Sequence, residues 1–105
     1  MSEAIPLESE VARGIDARHI IEHYLFKEAV ETIQSDIYDK FCSTDPTDLE
    51  GLRIQRLRQK CLAELTRSIH TVMETGKMAE EQIIRERTFA QRAVDRLKQG
   101  IRSVV

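Results

Sequence analysis

The string His19-Ile20-Ile21-Glu22-His23 is the part of this chain whose residue types come nearest to a catalytic motif. It fits the H-x-x-E-H pattern of inverted zincin proteases, in which two histidines one helical turn apart bind zinc and the glutamate activates a zinc-bound water. Such a site also needs a third ligand and a substrate cleft, and a helical chain of 105 residues has little room for either. We therefore interpret both imidazoles as partly exposed polar side chains, and we expect no metal, no cofactor and no enzymatic activity.

Basic residues form two strips on predicted helices, and such strips can neutralise phosphates. One strip consists of Arg53, Arg56, Lys60 and Arg67, and the other of Arg85, Arg92 and Arg96 with Phe89 beside them. An aromatic ring among guanidinium groups can also stack on a nucleic-acid base. The net charge of −2, the pI near 5.9 and the lack of a compact helix-turn-helix pattern favour solvent or an acidic protein surface over nucleic acid.

Charge is divided unevenly along the chain. Residues 1–50 carry four Lys or Arg against twelve Asp or Glu, whereas residues 51–105 carry twelve against six, so the halves have net charges of −8 and +6. Complementary halves can attract each other within one chain or between copies. We interpret this division mainly as a means of orienting helices or subunits.

The elements that carry these residues are predicted to be helical throughout, because strand alternation is absent. Residues 1–14 lack periodic apolar spacing, which predicts a flexible arm. Asp16 is a plausible N-cap for a helix over about 16–23. The apolar stripe then changes face, which predicts a kink or break near His23 to Leu25 and a second helix over about 24–42.

The clearest loop surrounds Pro46, and Thr47-Asp48-Leu49-Glu50 after it matches a capping box. A helix over about 48–75 should start there. Its apolar face consists of Ile54, Leu57, Cys61, Leu65, Ile69 and Val72.

Gly76 leaves two structures open. It is a natural C-terminal cap, which would separate helix 48–75 from another over 77–103, and we favour this hinge. The alternative is one continuous helix from Asp48 to about Arg102. The last stretch spaces seven residues by alternating steps of 4 and 3, as in a coiled-coil seam: Ile83, Arg87, Ala90, Val94, Leu97, Ile101 and Val104. An amphipathic helix that packs within the chain has the same spacing.

Arg58 and Arg87 lie in or beside otherwise apolar stripes. A charge in that position must reach solvent or pair with an acid. The acidic first half of the chain offers Glu28, Glu31, Asp36 and Asp39 as partners.

Cys42 and Cys61 belong to no CxxC pair, so we expect two reduced, half-buried thiols rather than a zinc or redox motif. The acidic N-terminus does not fit a secretory signal, and no stretch approaches the ~20 apolar residues of a membrane span. These observations lead us to expect no membrane partner and a reducing compartment.

Three segments carry a family resemblance: Leu25-Phe26-Lys27-Glu28-Ala29, the Pro46-containing linker, and the stretch 75–82, which reads TGKMAEEQ. Over about residues 18–82 the chain resembles a group of short helical proteins encoded by tailed bacteriophages. Where that group often holds Asn-Pro, this chain has His23-Tyr24. The resemblance implies a phage origin, a place among head, tail or packaging components, and no catalytic residues.

The sequence therefore predicts an all-α protein, an elongated helical hairpin or three-helix arrangement with an N-terminal arm over 1–14 and one helical domain over 15–105. We expect a phage structural or assembly protein of the virion or the host cytoplasm that binds other virion proteins or copies of itself. The alternative is a nucleic-acid-binding packaging or regulatory protein that uses Arg85, Phe89, Arg92 and Arg96. The packing residues expected to bind a protein partner are Ile54, Leu57, Leu65, Ile69, Ile83, Val94 and Leu97.

Overall fold

A computed structural model describes residues 6–104, with side chains described through Gly100. Over this range the chain forms three α-helices and no strand: α1 (Leu7–Glu22), α2 (Tyr24–Ser43) and α3 (Leu49–Val104). The molecule measures 87 × 33 × 20 Å. A helix of 56 residues is about 84 Å long, so α3 runs the full length of the molecule. The all-α class and the elongated shape predicted from the sequence are confirmed.

The first two helices are separated at His23, which confirms the predicted break. His23 is extended (φ −67°, ψ 129°), and its backbone N–H donates to the carbonyl of Ile20 at 3.2 Å. Its imidazole Nδ1 accepts the N–H of Leu25 at 3.1 Å, and its ring stacks on Tyr24. The side chain of His23 therefore caps α2, which explains how the chain breaks there without proline or glycine.

The predicted arm over 1–14 is wrong for the residues that are described. A helix starts at Leu7, nine residues before the predicted N-cap Asp16, and Glu8 and Glu10 in its first turn suit the positive end of the helix dipole. Residues 1–5 lie outside the described range. The apolar periodicity is weak here because the residues that α1 buries are Gly14 and Ala17, whose small size hides them from such a pattern.

The favoured hinge at Gly76 is also wrong. A single helix, α3, replaces the predicted helices 48–75 and 77–103. No described glycine has a positive φ, so Gly76 does not adopt the left-handed conformation of a C-terminal cap. It is buried inside α3, where its lack of a side chain lets α1 approach closely.

The loop between α2 and α3 forms at the predicted place, but its capping residue is Asp48 rather than Thr47. The Asp48 carboxylate accepts the N–H of Gly51 at 3.0 Å, and α3 starts at the next residue. Asp45 instead accepts both the backbone N–H of Thr47, at 2.8 Å, and its hydroxyl, at 2.6 Å. These two hydrogen bonds hold the pKa of Asp45 below its usual 3.8.

Both α1 and α2 run antiparallel to α3, so the chain is a hairpin with one arm kinked at His23. Gly14 of α1 contacts Gly76 of α3, while Arg13, Asp16 and Ala17 lie beside Ser68, Ile69 and Val72. Further along the hairpin, Asp36 of α2 pairs with Arg58 of α3. Because Gly14 lies level with Gly76, the first residue of α1 lies near Ile83. The helix α3 continues beyond Ile83.

Candidate interaction surfaces

The contact between α1 and α3 is unusually close. A Cβ atom added to Gly76 would lie 2.7 Å from the Cα of Gly14 and 2.9 Å from the carbonyl oxygen of Glu10. Each glycine is followed three residues later by a buried alanine, Ala17 at 5% exposure and Ala79 at 2%. Two facing Gly-x-x-Ala segments therefore bring the backbones together. Both segments are visible in the sequence, but its periodicity predicts an arm at Gly14 and a helix cap at Gly76 instead.

The buried apolar residues in the described range are few: Ala17, Ile37, Leu62 and Ala79. By contrast, sixteen large apolar side chains are more than 40% exposed. A hairpin made of one long helix and two short ones cannot cover all sides of these helices. The described chain thus leaves many large apolar side chains exposed, whereas soluble monomers rarely expose large contiguous apolar patches.

One exposed apolar surface lies on the first half of α3 and includes three of the predicted packing residues. Ile54, Leu57 and Leu65 are 46%, 49% and 54% exposed. The face of α3 that α1 and α2 cover is rotated from this stripe, because it is formed by Arg58, Leu62 and Ile69. The stripe that looked most apolar in the sequence therefore remains largely open in this chain.

The second exposed surface is the projecting end of α3, residues 84–100, where every residue is exposed. Val94 and Leu97 of the predicted packing set lie here at 44% and 69% exposure, whereas Ile83, at the point where α1 ends, is half-buried. Arg87 is exposed as well, so it meets solvent. We call residues 84–100 the projecting segment.

Opposite its apolar stripe, the projecting segment carries the predicted basic strip. Arg85, Arg92 and Arg96 point away from Ala90 and Val94 around the helix. Within residues 6–100, no acidic side chain forms an ion pair with any of these three arginines. Phe89 lies among them at 77% exposure and shares a shallow groove with Gln82, Arg85 and Glu86.

Arg58 pairs with an acidic side chain, as predicted, and the partner is Asp36. Its guanidinium donates to the Asp36 carboxylate at 2.8 Å and to the side-chain oxygen of Gln55 at 2.7 Å, and Lys40 lies 3.2 Å from the same carboxylate. The hydrogen bond from Arg58, followed by that from Lys40, holds the pKa of Asp36 below its usual 3.8. This ion pair joins α2 to α3.

The histidine motif is divided by the fold. His19 lies within α1, whereas His23 is extended and uses Nδ1 as the cap of α2. Within the described residues, no three His, Cys, Asp or Glu side chains group so that they could hold a metal ion.

Both cysteines are exposed, which corrects the expected half-burial. The Cys42 thiol beside Tyr38 raises the pKa of the Tyr38 phenol. Among the described residues, none of the helices has a segment long and apolar enough to span a membrane.

No family model, curated protein or solved structure matches this chain.

Proposed function

We propose that this chain is a non-enzymatic assembly protein of a tailed bacteriophage, a helical module that binds other virion proteins or copies of itself. The observation that carries the proposal is that, between residues 6 and 100, sixteen large apolar side chains are exposed while four apolar residues are buried. Surfaces of this kind mark protein–protein interaction sites. The phage setting, in the virion or the host cytoplasm, rests on the resemblance over residues 18–82.

The exposed residues are arranged along helix faces, which suits docking of another helix. Ile54, Leu57 and Leu65 form one stripe, and Val94 and Leu97 another, both on the same rigid helix α3. A partner that covered both stripes would remove much apolar surface from water, at about 25 cal/mol for each Å². Charged residues outside the stripes would then set orientation and partner choice.

Sedimentation of the purified chain with candidate head, tail and packaging components tests the proposal. We expect the chain to join a particle or subcomplex, and the triple variant Ile54→Ser/Leu57→Ser/Leu65→Ser or the variant Leu97→Asp to join it less. A matched control is Gln59→Ser/Glu64→Ser, which changes exposed polar residues of the same helix. A stable monomer that joins no component would refute the proposal.

A second candidate function, nucleic-acid binding, is favoured by one specific observation. Arg85, Arg92 and Arg96 are exposed and lack acidic partners in residues 6–100, and Phe89 lies between them for stacking. Salt-dependent DNA binding that is lost in Arg85→Ala/Arg92→Ala/Arg96→Ala would support it. A triple replacement of Arg53, Arg56 and Arg67 provides the control with the same charge change. Absence of binding at ~50 mM salt would remove this candidate.

A further inference from the structure

The projecting segment continues a seam that α1 begins. On α3 the residues Leu62, Ile69, Gly76 and Ile83 recur at seven-residue spacing, and α1 and α2 cover their face. Ala90 and Leu97 follow in the same register, with Val94 between them. The seam thus extends past the point where α1 ends, shifting gradually around α3 with each heptad, and there it has no partner from the described part of the chain.

We propose that a second copy of this chain covers this part of the seam, with the two projecting segments packed antiparallel. The inference rests on the proposed function and names its partner as a copy of the same chain. Each projecting segment covers the seam of the other copy beyond the point where α1 ends, just as α1 covers the earlier part of the seam within one chain. This arrangement buries Val94 and Leu97 of both copies.

The direction of packing follows from the position of α1. If the second copy ran parallel, its α3 would continue backwards along the seam from residue 84 and occupy the space that α1 fills around Gly14. In the antiparallel arrangement, the rest of the second copy extends past the C-terminal end of α3, where the described chain leaves space. Antiparallel packing also keeps Arg87 of one copy away from Arg87 of the other.

The charges beside the seam permit this pairing. Six residues of the described segment flank the seam directly on its two sides, and the only charges among them are Glu86 and Lys98; the others are Ile84, Gln91, Ala93 and Gly100. The arginines of the basic strip lie on the outer face, so two copies can approach without bringing those strips together. Antiparallel coiled coils pair alternate seam positions, which here places Val94 of one copy opposite Leu97 of the other.

The test is sedimentation equilibrium of the full chain together with two matched substitutions. We expect a species near twice the 12.1 kDa of one chain. Leu97→Asp should weaken dimerisation at least about a hundredfold, because each dimer loses two buried leucines and gains two charges in the seam. Phe89→Asp should leave dimerisation within about twofold. Phe89 lies on the outer face and is 77% exposed, compared with 69% for Leu97.

Cysteine cross-linking tests the direction. In a chain with Cys42 and Cys61 replaced by serine, Val94→Cys mixed with Leu97→Cys should form the mixed disulfide. Ala90→Cys should form no homodimer disulfide, because antiparallel packing places its two copies about 16 Å apart along the axis. Rapid cross-linking of Ala90→Cys would show parallel packing and overturn the inference.

The remaining outcomes separate the inference from the proposed function. A chain that stays monomeric at 100-fold the concentration used for particle binding, yet joins a particle, overturns the inference and leaves the proposed function standing. A dimer abolished by Phe89→Asp but not by Leu97→Asp overturns it as well. A dimer with the expected responses that joins no phage component supports the inference and refutes the proposed phage function.

Discussion

Replacement of Gly76 by alanine should separate α1 from α3. The new Cβ would lie 2.7 Å from the Cα of Gly14 and 2.9 Å from the carbonyl oxygen of Glu10, both backbone atoms that no side-chain rotation can move. Carbon atoms pack at about 3.5–4.0 Å, so the two helices must move apart by about 1 Å. Gly14→Ala meets the same obstacle from the other side.

Two effects oppose each other in this substitution. Alanine is favoured over glycine inside a helix by about 1 kcal/mol, whereas overpacking at a rigid contact costs about 1–3 kcal/mol. We therefore expect Gly76→Ala to destabilise the chain by up to about 2 kcal/mol, despite its better helix propensity. The double variant with Gly14→Ala should lose less than the sum of the two single losses, because the first substitution already separates the helices.

Gly100→Ala is the matched control, since nothing lies within 4 Å of a Cβ added at that position. It should raise helicity at the end of α3 and leave the stability of the hairpin unchanged. The measurements are urea unfolding followed by circular dichroism, and hydrogen exchange of the α1 amides. Higher stability of both Gly76→Ala and Gly14→Ala, or full protection of α1 in both variants, would contradict the close contact between α1 and α3.

Three further substitutions test the local structure. Asp48→Ala should destabilise the hairpin by about 1 kcal/mol in urea unfolding through loss of the α3 cap, and Thr47→Ala should cost less, the reverse of what the capping box predicts. His23→Ala should cost a similar ~1 kcal/mol and shorten α2 in hydrogen exchange, while His23→Asp restores a cap; equal effects of both would contradict the capping role. Asp36→Asn should lower stability at neutral pH. Because the pKa of Asp36 is depressed in the folded chain, its contribution is present above the usual value of 3.8 and disappears as pH falls below it. A difference between wild type and Asp36→Asn that does not shrink as pH falls below 3.8 would contradict the ion pair with Arg58.

The sequence was informative where side chains are large or charged. The change of apolar face near His23 predicted the break, and the charge of Arg58 within an apolar stripe predicted an acid such as Asp36. Both predictions follow from local physics, because a straight helix cannot bury two faces against one partner and a charge beside an apolar stripe needs solvent or a partner.

The sequence was misleading where packing depends on the absence of a side chain. The sequence predicts an arm residue at Gly14 and a helix cap at Gly76, since a glycine alone does not distinguish flexibility from close approach. Only the opposite helix shows which applies, and the facing residues are 62 positions apart in the chain. The exposure of Ile54, Leu57 and Leu65 also depends on where α1 and α2 dock around α3, which the periodicity of α3 alone does not specify.

If this chain works by covering its apolar stripes with another chain, hydrogen exchange along α3 should change when the chain assembles. The amides of residues 84–100 should exchange rapidly in dilute chain and become protected in the assembled state. Residues 69–83, which α1 already covers, should change little. Protection confined to residues outside both exposed stripes, or no change in any part of α3 on assembly, would contradict this mode of action.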